Sequence, residues 1–136
     1  MSINLNEYSN FVSNVTSRES NFLKDFIDRL ENVKTNDSNI NMSLLITSSL
    51  GLSSETGEFN EIVKKIIFQG KEMNQDNLFH MKRELGDIIW YWINACRSLH
   101  LDPYDVIDEN VKKLKARYSK EEFSVQESEN RKINDI

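Results

Sequence analysis

Four glycines and one proline are the only strong backbone punctuation in this chain of 136 residues. A sheet protein needs turn residues every few positions and strands that alternate β-branched with polar side chains, and both are scarce here. Apolar residues instead recur every three to four positions, the period of a helix. The fold class is therefore all-α, and the helices must start and stop where that period breaks.

Taken in order, Leu5, Tyr8, Phe11, Val12 and Val15 share one helical face behind Asn4 or Asn6 as a cap. Phe22, Leu23, Phe26, Ile27, Leu30 and Val33 continue the period beyond an unsettled break at Thr16 to Ser20. Lys34 to Asn41 is rich in Asn, Asp, Ser and Thr, lacks a periodic apolar face, and reads as a loop with a mobile tip. A long helix is expected from 41–43 to Phe68, with Leu44, Leu45, Phe59, Ile62, Val63, Ile66 and Ile67 inward and Gly70 as its stop. After the link Glu72 to Gln75, an antiparallel helix is expected to reach Leu99 and to bury Leu78, Met81, Leu85, Ile88, Ile89, Trp92, Ile93 and Cys96. Asp102 and Pro103 form a cap and first turn for a further helix to Tyr118, with Val106, Ile107, Val111 and Leu114 inward. The expected organisation is one domain over 1–136: a helical segment and loop at 1–41, helices carrying the chemistry at 42–118, and a polar tail at 119–136.

Two acidic signatures stand on the long helices, Glu55-Thr56-Gly57-Glu58 and Glu84-Leu85-Gly86-Asp87. Each pair is spaced i, i+3, so each helix aims two carboxylates from one face. A lone Glu-x-x-Glu is ordinarily a solvated face. The second pair sits among Leu85, Ile88, Ile89, Trp90, Trp92 and Ile93, where ionised groups are costly unless paired or bound to a cation. Four carboxylates converging from facing helices repel one another unless a hard divalent cation such as Mg²⁺ lies between them. Asn110, Lys113 and Arg117 form a cationic stripe at i, i+3, i+7, a spacing that also suits an ordinary solvated basic face.

The formal net charge of −5 argues against sequence-independent nucleic-acid binding, which needs a basic footprint. No apolar run approaches membrane-spanning length, and Met1 to Asn10 lacks the order of a signal peptide, so a soluble cytoplasmic protein without membrane association is expected. Cys96, the only cysteine, stands at an apolar helical position and reads as core. No phosphate loop of the P-loop type and no nucleophile elbow occurs. Neither His80 nor His100 follows a Glu by three residues, as di-iron bundles require, and both read as surface or link residues.

Leu50 to Glu58, Lys64 to Lys71, Arg83 to Tyr91 and Asn110 to Tyr118, taken in this order and with a glycine inside each acidic pair, resemble successive motifs of the MazG-like all-α nucleoside triphosphate pyrophosphohydrolases. Single-domain, phage-type members are the most similar, and the likeness extends from Leu50 to about Arg131. It implies a helical bundle completed by homo-oligomerisation, a dimer or a dimer of dimers. It also implies cleavage of a (d)NTP between the α and β phosphates, with Glu55, Glu58, Glu84 and Asp87 as ligands of Mg²⁺, for which Mn²⁺ can substitute. Glu55 or Glu58 would take the proton of the attacking water. Lys64, Lys71, Lys113 and Arg117 become candidates for the phosphates, Asn110 for a phosphate, the sugar or an acidic ligand, and Tyr91 and Phe68 for the base. The competing function is a catalytically weak helical module that senses nucleotides. A homo-oligomer is expected on physical grounds too, because Trp90 and Trp92 point to different faces of one helix and a short chain cannot cover both.

Overall fold

The computed structural model describes residues 4–36, 40–118 and 122–130, and every regular element among them is helical. The chain divides into two compact units, Met1–Met42 and Ser43–Ile136.

The first unit holds α1 (Leu5–Val15), α2 (Arg18–Asn21) and α3 (Leu23–Asn36). Asn4 caps α1, its side-chain oxygen accepting from the N–H groups of Asn6 and Glu7. The break left unsettled by the sequence is two short corners: Thr16 ends α1 in an extended conformation, and Ser17 caps the single turn α2. Arg18 pairs with Asp25 at 2.7 Å and Arg29 with Glu19 at 3.1 Å, tying α2 to α3 across that corner. The helix α3 runs on through Lys34 to Asn36, which the sequence reading had given to a loop; the tip of that loop at 37–39 lies outside the described residues. None of the described side chains of this unit is buried.

The second unit is built from α4 (Met42–Gln69), α5 (Gln75–Ser98), α6 (Pro103–Arg117) and the short α7 (Val125–Glu129). Gly70 ends α4 at φ +69°, a left-handed turn that side chains with a Cβ resist, and the N–H of Lys71 donates back to the Lys65 carbonyl at 3.1 Å. Asn74 then caps α5 by accepting from the Asn77 N–H at 3.0 Å, and the Asn77 amide donates to the Glu72 carbonyl at 2.6 Å. Both bonds hold the polar link in place. Asp102 accepts from the Tyr104 N–H at 2.9 Å with Pro103 behind it, as the sequence leads one to expect at the start of α6.

Burial departs from the sequence reading. The sole buried apolar side chain among the described residues is Cys96; the other buried residues are Ser48, Gly51, Asn77, Asn94 and Ser98. Leu78, Leu85 and Ile89 of α5 and Ile107, Val111 and Leu114 of α6, all expected inside, are exposed, as is Ile67. α4 and α5 meet along a seam that the Tyr91 ring on Gly51 closes, and the buried polar residues of the two helices are satisfied by their own backbones. Ser48 and Ser98 donate to the carbonyls of Leu44 and Ala95, each at 2.7 Å, and Asn94 to that of Trp90 at 3.1 Å. No buried side-chain nitrogen or oxygen among the described residues lacks a partner, so the seam carries no desolvation penalty for orphaned groups. The C-terminal segment is not simply a polar tail: Ser124 caps α7, and the Phe123 ring lies 5.9 Å from that of Tyr118. Residues 119–121 and 131–136 lie outside the described residues.

Candidate functional site

The acidic residues sit on the α4/α5 seam. Both helices advance along it in steps of three and four residues, the knobs-into-holes spacing of an antiparallel pair. At one level the ring of Tyr91 lies so close over Gly51 that an added Cβ there would overlap it. One turn on, Glu55 lies within reach of Glu84 and Asp87. At the next level Glu58 joins Glu84, and beyond it Ile62 and His80 line the same groove. A single register thus threads Gly51, Glu55, Glu58 and Ile62 against Tyr91, Asp87, Glu84 and His80.

Carboxylate oxygens of Glu55, Glu58 and Glu84 all lie within 4.8 Å of one another. Asp87 stands outside that triad but near enough to Glu55 to act on it. The Glu55 carboxyl is pushed above the usual glutamate range, first by its partial desolvation and then by the negative charges of Glu58, Asp87 and Glu84. Oxygen donors from two rigid helices, crowded enough to hold a proton between them, fit a hard divalent cation well: the ion would replace the proton and remove the repulsion.

The other candidates lie around this cluster in different ways. Lys71 is half-buried and lines a groove of about 390 Å³ together with Glu58, Glu61 and Glu84. Lys64 and Lys65 both pair with Glu61 on their own helix, the second at 3.3 Å. Phe68 is 79% exposed. The Tyr91 ring occupies the space above Gly51 and receives the Trp90 ring edge-on at 4.7 Å. Asn110 and Lys113 line a different cavity, of about 680 Å³, with Trp92 and Val106 on its other sides. Arg117, half-buried, closes the last turn of α6. The single chain therefore gathers the triad with Asp87 and Lys71, and places Asn110 and Lys113 in a second hollow.

Sequence reasoning passed over His80, which lines the acidic groove one helical turn before Glu84. The signal was available, since His80, Glu84, Asp87 and Tyr91 follow the same four-three-four spacing.

A model of the MazG nucleotide pyrophosphohydrolase domain matches residues 46–121, a span that takes in all four acidic positions, the link and α6. The "Gene 37 protein" of Mycobacterium phage L5 is 34% identical over 71 residues, 51% of this chain and 61% of the phage protein, so the likeness leaves over a third of that relative unmatched. No solved structure matches. With more than half of its length inside the domain match, and with three of the four carboxylates converging within it, the chain belongs to the MazG nucleotide pyrophosphohydrolase family.

Proposed function

We propose that this chain is a Mg²⁺-dependent nucleoside triphosphate pyrophosphohydrolase that cleaves a (d)NTP to the monophosphate and pyrophosphate. The observation that carries this reading is the triad of Glu55, Glu58 and Glu84, brought together by two helices of the matched domain. With Asp87 they supply the ligands; Mn²⁺ can take the place of Mg²⁺. Bound divalent ions neutralise the phosphate oxygens and lower the pKa of a water at the site. Glu55 or Glu58 accepts the proton of the attacking water, and both are held for that task by a helix pair whose register is fixed at Gly51. Lys71, Lys113 and Arg117 meet phosphate charge, Lys64 does so once it is released from Glu61, Asn110 bonds the sugar, a phosphate or a ligand carboxylate, and Phe68 and Tyr91 serve the base.

The working form is a homo-oligomer. Leu85, Ile89, Trp90 and Ile67 are 51%, 57%, 58% and 64% exposed on the two long helices, and burying the exposed part of such a set against a second copy contributes roughly 1–2 kcal/mol per side chain. A monomeric mass by light scattering at micromolar protein would reject this.

The direct test is a turnover screen with Mg²⁺ over the common NTPs and dNTPs, reading monophosphate and pyrophosphate. Glu58→Gln and Asp87→Asn should each lose far more than tenfold in rate, a barrier change above ~1.4 kcal/mol, with the helical spectrum unchanged. Tight nucleotide binding by a wild-type protein that turns over none of them would replace the enzyme with a nucleotide-sensing module.

A further inference from the structure

Tyr104, Ile107, Val111 and Leu114 are all exposed on α6, Tyr104 most of all at 82%. Their spacing of three, four and three positions sets them along one face of the helix, and it reads the same from either end. A second α6 laid antiparallel on this face puts Ile107 opposite Val111 and Tyr104 opposite Leu114, with no apolar residue left over. Asn110, Lys113 and Arg117 stand on a different face, roughly 100° around the helix.

The charges of α6 have the same symmetry. Asp105, Asp108 and Glu109 stand in its first half, and Lys112, Lys113, Lys115 and Arg117 in its second. This order suits the helix's own dipole, and it also makes the face complementary to itself. Antiparallel pairing lays the acidic half of each copy along the basic half of the other, whereas a parallel pair sets like charges side by side. On the rim of the apolar face it brings Asp108, which holds Lys112 at 2.7 Å on its own helix, toward Lys115 of the second copy. An anionic lipid surface, by contrast, is repelled by the acidic half.

The face also holds a socket for its own largest side chain. Beside Leu114, the level that Tyr104 of the second copy reaches, lies an apolar groove of about 360 Å³ lined by Val111, Leu114, Tyr118 and Phe123. Lys115 and Glu122, which line it too, can bond a tyrosine hydroxyl. The exposed parts of Tyr104, Ile107, Val111, Leu114 and Phe123 amount to roughly 500 Å² in each copy, so a pair hides about 1,000 Å², the lower bound for a specific interface.

We propose that this face of α6 is a self-association surface, on which α6 of a second copy lies antiparallel and seats its Tyr104 in the groove beside Phe123. The contact is separate from the stripe of Leu85, Ile89 and Trp90 and does not rest on the pyrophosphohydrolase reading. Two such faces on one chain allow a dimer to be doubled.

The test is sedimentation of the intact protein carrying Ile89→Glu, which charges the other stripe and leaves α6 as the surface that pairs. This protein should sediment as a dimer at tens of micromolar. Adding Tyr104→Ala, which removes the anchor from its socket, should raise the dimer's Kd at least about tenfold. Lys115→Asp should also raise it, by setting like charges on the rim, and Asp108→Lys in the same chain should recover part of that loss. Tyr104, Asp108 and Lys115 are all exposed, so the helical spectrum should not change. A monomer before any change on α6 overturns the assignment, as does a mass that Tyr104→Ala and Lys115→Asp leave as it was.

Discussion

Gly51→Ala is the most informative single change in this molecule. Two terms oppose each other. An alanine in a helix interior is roughly 1 kcal/mol more favourable than glycine. The new methyl, however, would overlap the Tyr91 ring, which also packs at right angles to the Trp90 ring. Forcing extra volume into such a contact typically costs about 1–3 kcal/mol, so the net loss lies between nothing and about 2 kcal/mol. Stability is thus the weaker readout. The stronger one is geometric: Gly51 and Tyr91 stand one helical turn from Glu55 and Asp87, and prying them apart should spread the Glu55, Glu58 and Glu84 carboxylates, which lie within 4.8 Å of one another in the wild type. Because Mg²⁺ demands ligands at about 2.0–2.1 Å in near-ideal geometry, a shift of a few tenths of an ångström should weaken divalent-ion binding by at least about tenfold. Isothermal titration with Mn²⁺ or Mg²⁺, beside circular dichroism melts, measures both. Gly51→Ala with Tyr91→Ala should regain most of the affinity lost by Gly51→Ala alone, a coupling that only contacting residues show. A Gly51→Ala protein that melts higher and binds the ion as tightly as wild type would refute the claim that this contact fixes the site.

Gly57 and Gly86 have nothing within 4 Å of an added Cβ, so Gly57→Ala and Gly86→Ala should each stabilise by roughly 1 kcal/mol in a thermal melt. Only Gly57→Ala, which lines the groove, should also weaken a triphosphate analogue. Lys113→Ala should raise KM or lower kcat at least about tenfold with the melt almost unchanged; normal kinetics in both Lys113→Ala and Asn110→Ala would remove α6 from the site. In chelator, Glu55 gives a pH signature of definite sign. Its folded carboxyl holds a proton to higher pH than in the unfolded chain, so its contribution is full below the ordinary glutamate value and is lost as pH rises through the raised one. The melting temperature of Glu55→Gln relative to wild type should therefore climb as pH rises from the ordinary glutamate range through the raised one, and Mg²⁺ should stabilise the wild type in proportion as the carboxyl ionises. A difference that is flat in pH would deny the crowding.

Much of this was legible in the sequence. Helix ends follow local chemistry, a side-chain oxygen next to free N–H groups or a glycine able to turn left-handed, and local chemistry does not depend on the rest of the fold. Asn4, one of the two caps considered, Gly70 and Asp102 accordingly act where they were expected to, and Asn74, read only as part of the link, caps α5 by the same chemistry. Of the four carboxylates that the i, i+3 spacing led one to expect together, Glu55, Glu58 and Glu84 lie within 4.8 Å of one another and Asp87 stands outside them.

Burial was misread, because a period in the sequence says which residues share a face and not what that face meets. Along α4 and α5 the apolar stripes and the seam are different faces. Inside are Ser48, Gly51, Asn94 and Ser98, residues too small or too polar to register as a core, and the hydroxyl and amide groups among them are satisfied by their own helices. Placing bulk there would drive the helices apart and scatter the carboxylates. Leu85, Ile89, Trp90 and Ile67 stand on the outside, on the surface that the proposed homo-oligomer would cover. His80 was missed for the opposite reason: judged alone it is a surface histidine, and only the fold reveals that it borders the acidic groove together with Ile62. What a residue does in this family of helix pairs is therefore decided by the residue facing it, and that partner is set by the one tight contact, Gly51 on Tyr91, from which every other level of the seam is counted.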